Sequence, residues 1–487
     1  MLRTLIIKEI NALLLSPKFS LTLVVCSMLL LLSVYTGIIE YKQTMSQYEA
    51  AQQIESLNFQ EAKSAHSASA LVHRKPNPIQ ILFSGIHFDL GRITSVSKWS
   101  DPNLIRSMYS ETPVFALFRM LDFGFIFQVI LTLFALLFTY DSISGERESG
   151  TLRLVFSNSV PRSTYLAAKI IGNGIGLIAP LMIPILLSLL IIQFNSISLS
   201  DGDWITILLT IISGILLLFV FLLLGLSVSA MSQQSNTAFL ILLSIWILTV
   251  LLIPKAGVLV ADSIIKTPSD SELTSMKGLY AEEKMRAHNK ELASIFRNRD
   301  LETEGMTNEQ VKAYRDEKEW EWMEEDDTRR QEMQKDINAY GDKLYEEFQN
   351  KKIQKEQLAY RFAKISPVAT FQFIGNTLAQ TDVALKNRYQ TSLNEYKTTY
   401  TSYVDEKQKA SGSPGGIRIT IDDEEGFKID FGRGDARIDF SDRPIFDHPA
   451  KSSAQLIQET LSDMLSIVGF GVVLFGISFW GFLNYKM

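Results

Sequence analysis

The chain has 487 residues, of which 47% are hydrophobic and 21% are charged. Residues 270–364 hold 23 acidic and 18 basic side chains, while the rest contains apolar runs long enough to cross a bilayer. This segregation excludes a purely soluble globular protein and a mainly disordered chain. The net charge of −6 and the lack of a basic stripe argue against a nucleic-acid partner. The single cysteine, Cys26, excludes an internal disulfide framework and a cysteine-based zinc cage.

Six segments are apolar enough to be membrane helices, because about 20 apolar residues cross the hydrocarbon core. The expected spans are residues 19–39, 114–138, 167–194, 204–230, 238–260 and 464–483. Pro180, Pro184 and Pro254 are expected to do no more than kink the third and fifth spans. The predicted fold is a mainly α membrane protein with six transmembrane helices, a long helical hairpin outside the membrane and a small β-rich segment.

The distribution of basic residues predicts that both termini are cytoplasmic. Arg3, Lys8 and Arg147 are among the basic residues of the segments placed inside, whereas the short outer loop 195–203 has no Lys or Arg. The chain is expected to begin with an inner segment (1–18), a span (19–39), an outer loop (40–113) and a second span (114–138). An inner loop (139–166) and three spans (167–260) follow. The chain then forms an outer domain (261–461) and ends with a span and an inner tail (462–487).

The outer domain is expected to be helical to about residue 410 and β-rich from 417 to 440. Residues 271–364 are rich in helix formers without proline, which predicts an antiparallel helical hairpin, with a bend near Gly341. Three short alternating runs, 417–421, 427–431 and 436–440, predict a small β-meander. In the first outer loop, which is expected to start helical, His66, His73 and His87 lack the ligands that would complete a metal site, so we expect no metal.

Catalytic and cofactor motifs are missing from the sequence. It contains no Gly-x-x-x-x-Gly-Lys-Ser/Thr, no Gly-x-Ser-x-Gly and no His-Glu-x-x-His. The expectation is therefore a chain that is not itself an enzyme and holds no cofactor.

The inner loop 139–166 carries the most informative residues. A polar, helix-compatible stretch follows the second span directly, and it is expected to display Glu146, Arg147 and Glu148 to a soluble partner. Gly150 is suited to end one helix, and Thr151 to begin the next step of the chain.

Two charged residues lie at the start of the second span. Arg119 and Asp122 are three residues apart, which would place them on one helix face. Charges within a span usually face protein or water, so they are interpreted as an intramembrane gate or an interface between subunits. The alternative is an ion pair within the helix at the membrane boundary.

The loop pattern is similar to that of type-2 ABC transporter permeases. It consists of Asp141 to Leu154, followed by residues 159–162 and Lys169. The resemblance implies that the loop docks on an ATPase subunit through Glu146, Arg147, Glu148, Gly150, Thr151 and Leu152. It also implies that residues 1–18 form an amphipathic elbow helix. The outer insert of about 210 residues resembles the sub-branch with a large extracytoplasmic domain, in which residues 366–382 would be a return segment.

The resemblance implies a permease subunit of an ATP-driven exporter in a bacterial inner membrane. Its expected partners are a separate ATPase that binds ATP and Mg, a second permease chain, the lipid bilayer and a periplasmic protein. The outer domain would receive the substrate or transmit motion to that protein. One alternative is a membrane-anchored sensor or assembly scaffold without transport. Another is a secondary transporter, which is disfavoured because spans three to six carry no ionisable group at mid-membrane.

Overall fold

The computed structural model describes residues 1–61, 69–86, 93–97, 122–410, 418–422, 426–430 and 439–483. The described part is mainly α-helical, as the composition predicts. It divides into two compact units, one formed by Met1–Leu251 with Ser366–Met487 and the other by Leu252–Ile365.

The first unit contains most of the membrane-helix residues and most of the loops. Its helices are α1 (Leu2–Leu14), α2 (Pro17–Glu61), α3 (Phe123–Phe125), α4 (Thr132–Thr139), α5 (Ser144–Glu148), α6 (Thr151–Ser157), α7 (Arg162–Phe194), α8 (Asp201–Met231), α9 (Ser235–Trp246), α13 (Pro367–Leu378), α14 (Ala384–Ala410) and α15 (Ser453–Leu483). A π-helical turn, Ile126–Leu131, joins α3 to α4, and a second, Ile247–Leu252, follows α9.

Six helical stretches are long and apolar enough to cross a membrane, which confirms the predicted number among the described residues. They are Pro17–Phe59, Phe123–Glu148, Arg162–Phe194, Asp201–Met231, Ser235–Ile264 and Ser453–Phe482, and we call them spans one to six. Span six begins earlier than the expected residue 464. Span two begins at Phe123, because Asp122 has an extended backbone and caps the helix that follows.

The spans pack through small residues that let helix backbones approach closely. A side chain on Gly225 of span four would meet the Thr139 hydroxyl of span two at 1.8 Å, and one on Gly214 would meet the Phe127 ring at 2.5 Å. Cys26 is fully buried in the same apolar core. Its role is therefore that of a small apolar side chain.

A second apolar core joins residues of 40–113 and 261–461, the two long segments that are predicted to be outer, and we call it the outer core. Strands β1 (Ala70–His73) and β2 (Ile93–Val96) pair antiparallel, with Ala70 opposite Val96. This core also contains the end of α2 and one face of α14, and its buried tyrosines are Tyr389, Tyr396 and Tyr400. The prediction that the first loop starts helical is confirmed by α2, but the β1–β2 hairpin is not among the predicted elements.

The second unit is an antiparallel helical hairpin preceded by a shorter helix. Its helices are α10 (Ile253–Ile264), α11 (Asp270–Glu302) and α12 (Asn308–Ala363). Lys284 Nζ lies 2.9 Å from Asp336 Oδ2, and nearer the hairpin turn Arg299 Nη1 lies 3.1 Å from Asp326 Oδ2. The descending order of the partners shows that the two long helices are antiparallel, as predicted. Helix α12 is continuous through Gly341.

The β-rich segment contains two described strands, β3 (Arg418–Asp422) and β4 (Gly426–Asp430), paired antiparallel. They correspond to the first two predicted runs. Most of the third run, 436–440, lies outside the described residues, as do His66 and His87. No cluster of metal-ligating side chains occurs within the described ranges.

Candidate functional site

The inner loop folds into two short helices separated by Gly150. Gly150 has φ +75°, a left-handed conformation that glycine adopts without strain, and it is the N-cap of α6. The hydroxyl of Thr151 lies 3.2 Å from the carbonyl oxygen of Glu146 across this corner. The expectation that Gly150 and Thr151 separate two helices is therefore confirmed.

Glu146 is the centre of an ionic cluster that joins three segments of the chain. Its Oε1 accepts hydrogen bonds from Lys8 Nζ of α1 and from Lys169 Nζ of span three, both at 2.9 Å. Its Oε2 accepts one from the Tyr165 hydroxyl at 2.6 Å. Lys169 Nζ also donates to Glu9 Oε2 at 2.9 Å. We call Lys8, Glu9, Glu146, Tyr165 and Lys169 the coupling cluster.

Burial makes the pairing in this cluster energetically important. The Lys169 side chain is only 4% exposed, and Glu9 and Glu146 are 10% and 17% exposed. A buried ammonium remains charged only where carboxylates and hydrogen bonds replace its hydration. The carboxylates of Glu9 and Glu146 and the ammonium groups of Lys8 and Lys169 therefore stabilise one another in their charged forms.

Lys8 is the accessible member of the cluster, with half of its side chain exposed. Partial burial opposes its charged form, but the hydrogen bond and negative charge of Glu146, with a smaller effect of Glu9, outweigh this and raise the pKa of Lys8. Lys8 therefore stays protonated at neutral pH and ties α1 to the inner loop.

Helix α1 is docked on span three, which explains why Glu9 is buried. A side chain on Gly172 would meet Glu9 Cβ at 2.6 Å, and one on Gly176 would meet Leu13 Cδ2 at 3.2 Å. Glu9 and Leu13 are the two buried residues of this helix. Small residues of span three thus create the space in which α1 lies.

Arg147 and Glu148 attach the loop to the turn between spans four and five. Arg147 donates to the carbonyl oxygens of Ser232 at 2.5 Å and Ala230 at 2.9 Å. The Glu148 carboxylate accepts from the Ser235 backbone N–H at 3.1 Å and from its hydroxyl at 2.9 Å. These bonds fix the loop to neighbouring spans of the same chain.

The remaining predicted residues separate into a buried and an exposed set. Leu152 is 3% exposed and lies in an apolar cluster with Tyr165. Thr151, Arg153 and Leu154 are exposed, and Leu154 exposes 67% of its surface. We call residues 148–151, 153 and 154, which are exposed, the coupling surface. Arginine is enriched at protein interfaces, so the exposed Arg153 is a suitable contact for a soluble partner.

The structure brings Glu146 and Arg147 into contact with their own chain, and it adds residues that the docking hypothesis lacked. Lys8, Glu9 and Tyr165 were not among the predicted site residues. The sequence gives only weak signals for this cluster. Glu9 is a carboxylate among the apolar residues of a short helix, and Lys169 is a lysine near the start of a span. Only the three-dimensional contact shows that these charges neutralise one another.

Asp122 acts as a helix cap in this structure. Its Oδ1 accepts from the Phe125 N–H at 2.7 Å, and its Oδ2 lies 3.4 Å from the Ser84 backbone nitrogen. Because Asp122 precedes the helix, the helical spacing used to pair it with Arg119 does not extend through it. Arg119 itself lies outside the described residues.

Comparison with known proteins gives one family. The family described as ABC-2 family transporter protein matches residues 4–487, nearly the whole chain. No curated protein matches the chain closely enough to count as a relative.

Proposed function

Because the chain belongs to the ABC-2 family of transporter proteins, whose members are membrane-spanning permease subunits and not the ATPase, we propose that it is the permease of an ATP-driven exporter. We place it in a bacterial inner membrane with both termini in the cytoplasm. A separate subunit binds ATP and Mg and supplies the hydrolysis. The coupling surface is its proposed docking site.

The observation that carries this proposal is the coupling cluster. Glu146 stands in α5, at the end of span two that leads into the loop, and is bonded to α1 and to span three. A displacement of this loop therefore displaces three segments together. ATP binding can favour one permease conformation only if the docked ATPase interacts differently with the two. The cluster is a rigid connection through which a displacement of the loop by the docked ATPase reaches the spans.

The docking contact is proposed for the coupling surface and not for Glu146 or Arg147. Those two side chains hold the loop in position, as their bonds to the chain itself indicate. A second permease chain completes the transporter, and we place the hairpin of α11 and α12 in the extracytoplasmic domain, where it contacts the substrate or a periplasmic protein. This arrangement corresponds to the sub-branch with a large insert.

Isolation of the tagged chain in mild detergent tests the proposal, with ATP hydrolysis measured in the eluate. We expect an ATPase to co-purify. The variant Arg153→Glu/Leu154→Glu should lose it without a change in melting temperature, because both side chains are exposed. The control is Ile445→Glu, at a residue that is 80% exposed outside the loop. A stable membrane complex without a nucleotide-binding subunit would contradict the proposal and favour the scaffold hypothesis.

A further inference from the structure

Helix α6, which carries half of the coupling surface, has an exposed and a buried side. Arg153 and Leu154 are exposed. Leu152 is buried, and Val155 and Phe156 are partly buried against the same apolar cluster. Side chains three and four residues apart lie on one face of a helix. Helix α6 therefore contacts the rest of the chain through a face that Arg153 and Leu154 do not share.

The attachment of α6 to the spans is apolar. In the part of the chain that the structure describes, the side-chain hydrogen bonds of this helix stay within the inner loop. The Thr151 hydroxyl lies 2.9 Å from that of Ser149 and 3.2 Å from the Glu146 carbonyl oxygen, and the Ser157 hydroxyl donates to the Leu154 carbonyl at 2.7 Å. Apolar packing therefore holds α6 against the spans.

Three aromatic rings form the centre of this packing. The ring centroid of Phe156 lies 5.4 Å from that of Tyr165, near the start of span three, and 6.0 Å from that of Phe482, at the end of span six. The rings of Tyr165 and Phe482 are stacked, with centroids 5.3 Å apart and planes 12° apart. Each ring therefore lies beside the other two. We call Phe156, Tyr165 and Phe482 the aromatic anchor.

Burial separates the anchor from any partner protein. Tyr165 and Phe482 are each 2% exposed, so neither ring can contact a docked subunit. Stacked and tilted aromatic pairs stabilise a contact beyond the area that they bury. An effect of Phe482 on docking would therefore have to act through α6.

Tyr165 joins the anchor to the coupling cluster. Its ring belongs to the anchor, and its hydroxyl donates to Glu146 Oε2 of α5 at 2.6 Å. Both short helices of the inner loop are thus attached to one residue of span three. Phe482 supports the other face of that attachment from span six.

We propose that Phe482 is a positioning residue, whose ring holds Phe156, and with it the exposed side of α6, in the orientation in which the ATPase docks. Helix α6 has seven residues, and a helix of that length depends on packing for its stability. Without the ring, binding of the ATPase would also have to order α6, which lowers affinity. The inference rests on the proposed function and deepens it by giving span six a part in the docking site.

Hydrogen exchange of the full chain in detergent tests the anchor. Phe482→Leu keeps an apolar side chain but removes the ring. The matched control is Phe479→Leu, one turn earlier in the same helix, where the ring is 37% exposed and stacks on Phe475. We expect the amides of α6 to exchange at least about tenfold faster in Phe482→Leu, because lost packing favours local opening, and to be unchanged in the control.

Titration with the ATPase that co-purifies with the unchanged chain measures the effect on docking. We expect the dissociation constant to rise at least about tenfold for Phe482→Leu and to stay the same for Phe479→Leu. Phe156→Leu removes the ring of α6 itself and should act similarly. The double variant Phe156→Leu/Phe482→Leu should add little, because residues that act through one contact are not additive. A purely structural role would lower the melting temperature and leave the dissociation constant of the folded chain unchanged.

Unchanged exchange of α6 in Phe482→Leu overturns the proposal, and equal effects in Phe479→Leu overturn its assignment to the ring. Faster exchange with an unchanged dissociation constant overturns the positioning role. If Phe482→Leu does not fold, Phe156→Leu takes its place with the same outcomes. If no ATPase co-purifies, the proposed function and the docking role both fail, and the exchange measurement still decides whether Phe482 anchors α6.

Discussion

At the scale of single residues, Lys169 determines the stability of the coupling cluster. It donates hydrogen bonds to both buried carboxylates, Glu9 and Glu146, whereas Lys8 approaches the Glu9 carboxylate only to 3.8 Å. The two ion pairs share one ammonium group at 2.9 Å from each oxygen. The loss of this group would leave two carboxylates buried without their main counter-charge.

We therefore expect Lys169→Met to destabilise the chain by about 3–5 kcal/mol, the usual cost of breaking a buried ion pair. Lys8→Met should cost at most about 1 kcal/mol, because half of the Lys8 side chain is exposed. Melting in detergent, followed by intrinsic fluorescence, measures both. The double variant Lys169→Met/Glu9→Gln should recover part of the stability that Lys169→Met loses. Equal losses for the two lysines would contradict the described burial.

The residue scale also shows what the sequence could not provide. The pattern identified Glu146, Arg147 and Glu148 as a group, but not that Glu146 and Arg147 face their own chain. The spacing of Arg119 and Asp122 suggested one helix face, but a cap at Asp122 was not apparent from the pattern. The partners Lys8 and Lys169 of Glu146 lie on other helices, whereas the cap at Asp122 depends on an extended backbone that the side-chain spacing does not reveal.

At the scale of elements, the contact between spans two and four depends on Gly225. Its Cα faces the Thr139 hydroxyl so closely that an added Cβ would lie 1.8 Å from it. We expect Gly225→Ala to cost about 1–3 kcal/mol through overpacking. Gly469→Ala in span six is the control, because nothing lies within 4 Å of its added Cβ, and alanine favours a helix over glycine. Melting curves of the two variants test this difference, and similar curves would contradict the close contact.

The outer core should be sensitive to acid. Burial, and then the positive charges of Arg388 and Arg74, lower the pKa of His448, with Asp447 opposing them. The His448 ring also contacts Tyr389, and its Nδ1 lies 3.0 Å from the Ser392 hydroxyl. Below the ordinary value of 6.5, an unfolded chain takes up a proton that the folded core resists, so stability is lost as the pH falls through this range.

Hydrogen exchange of α14 measured between pH 8 and 5 should therefore accelerate towards the acidic end, after correction for the intrinsic pH dependence of exchange. His448→Gln keeps a polar side chain but removes the titration, so it should reduce the acceleration. Burial also lowers the pKa of His73, which accounts for a remaining slope. An unchanged pH profile in the variant would contradict the role of His448.

The elements themselves were largely predictable, for physical reasons. An apolar run about 20 residues long has few structures available in a membrane other than a helix, so the six spans follow from composition. The hairpin of α11 and α12 follows from charge, helix propensity and the absence of proline. The β1–β2 hairpin was missed because its strands have four residues each and are 19 residues apart. Such short strands are stabilised by the outer core and not by a strong local pattern.

At the scale of the whole molecule, the apolar helices and the family match identify a membrane permease of an ABC transporter. The sequence motif located the inner loop, and the structure explains how that loop is attached to α1 and to spans three, four and five. The central proposal is that an ATPase docks on the coupling surface.

Site-specific photo-crosslinking tests this proposal most directly. A photoreactive amino acid is placed at Leu154, which is 67% exposed, and in a separate chain at Ile445, which is 80% exposed. We expect the first to form an adduct with a nucleotide-binding subunit and the second to form none. An intact complex in which Leu154 gives no such adduct, or in which Ile445 gives as much, would contradict docking at the coupling surface.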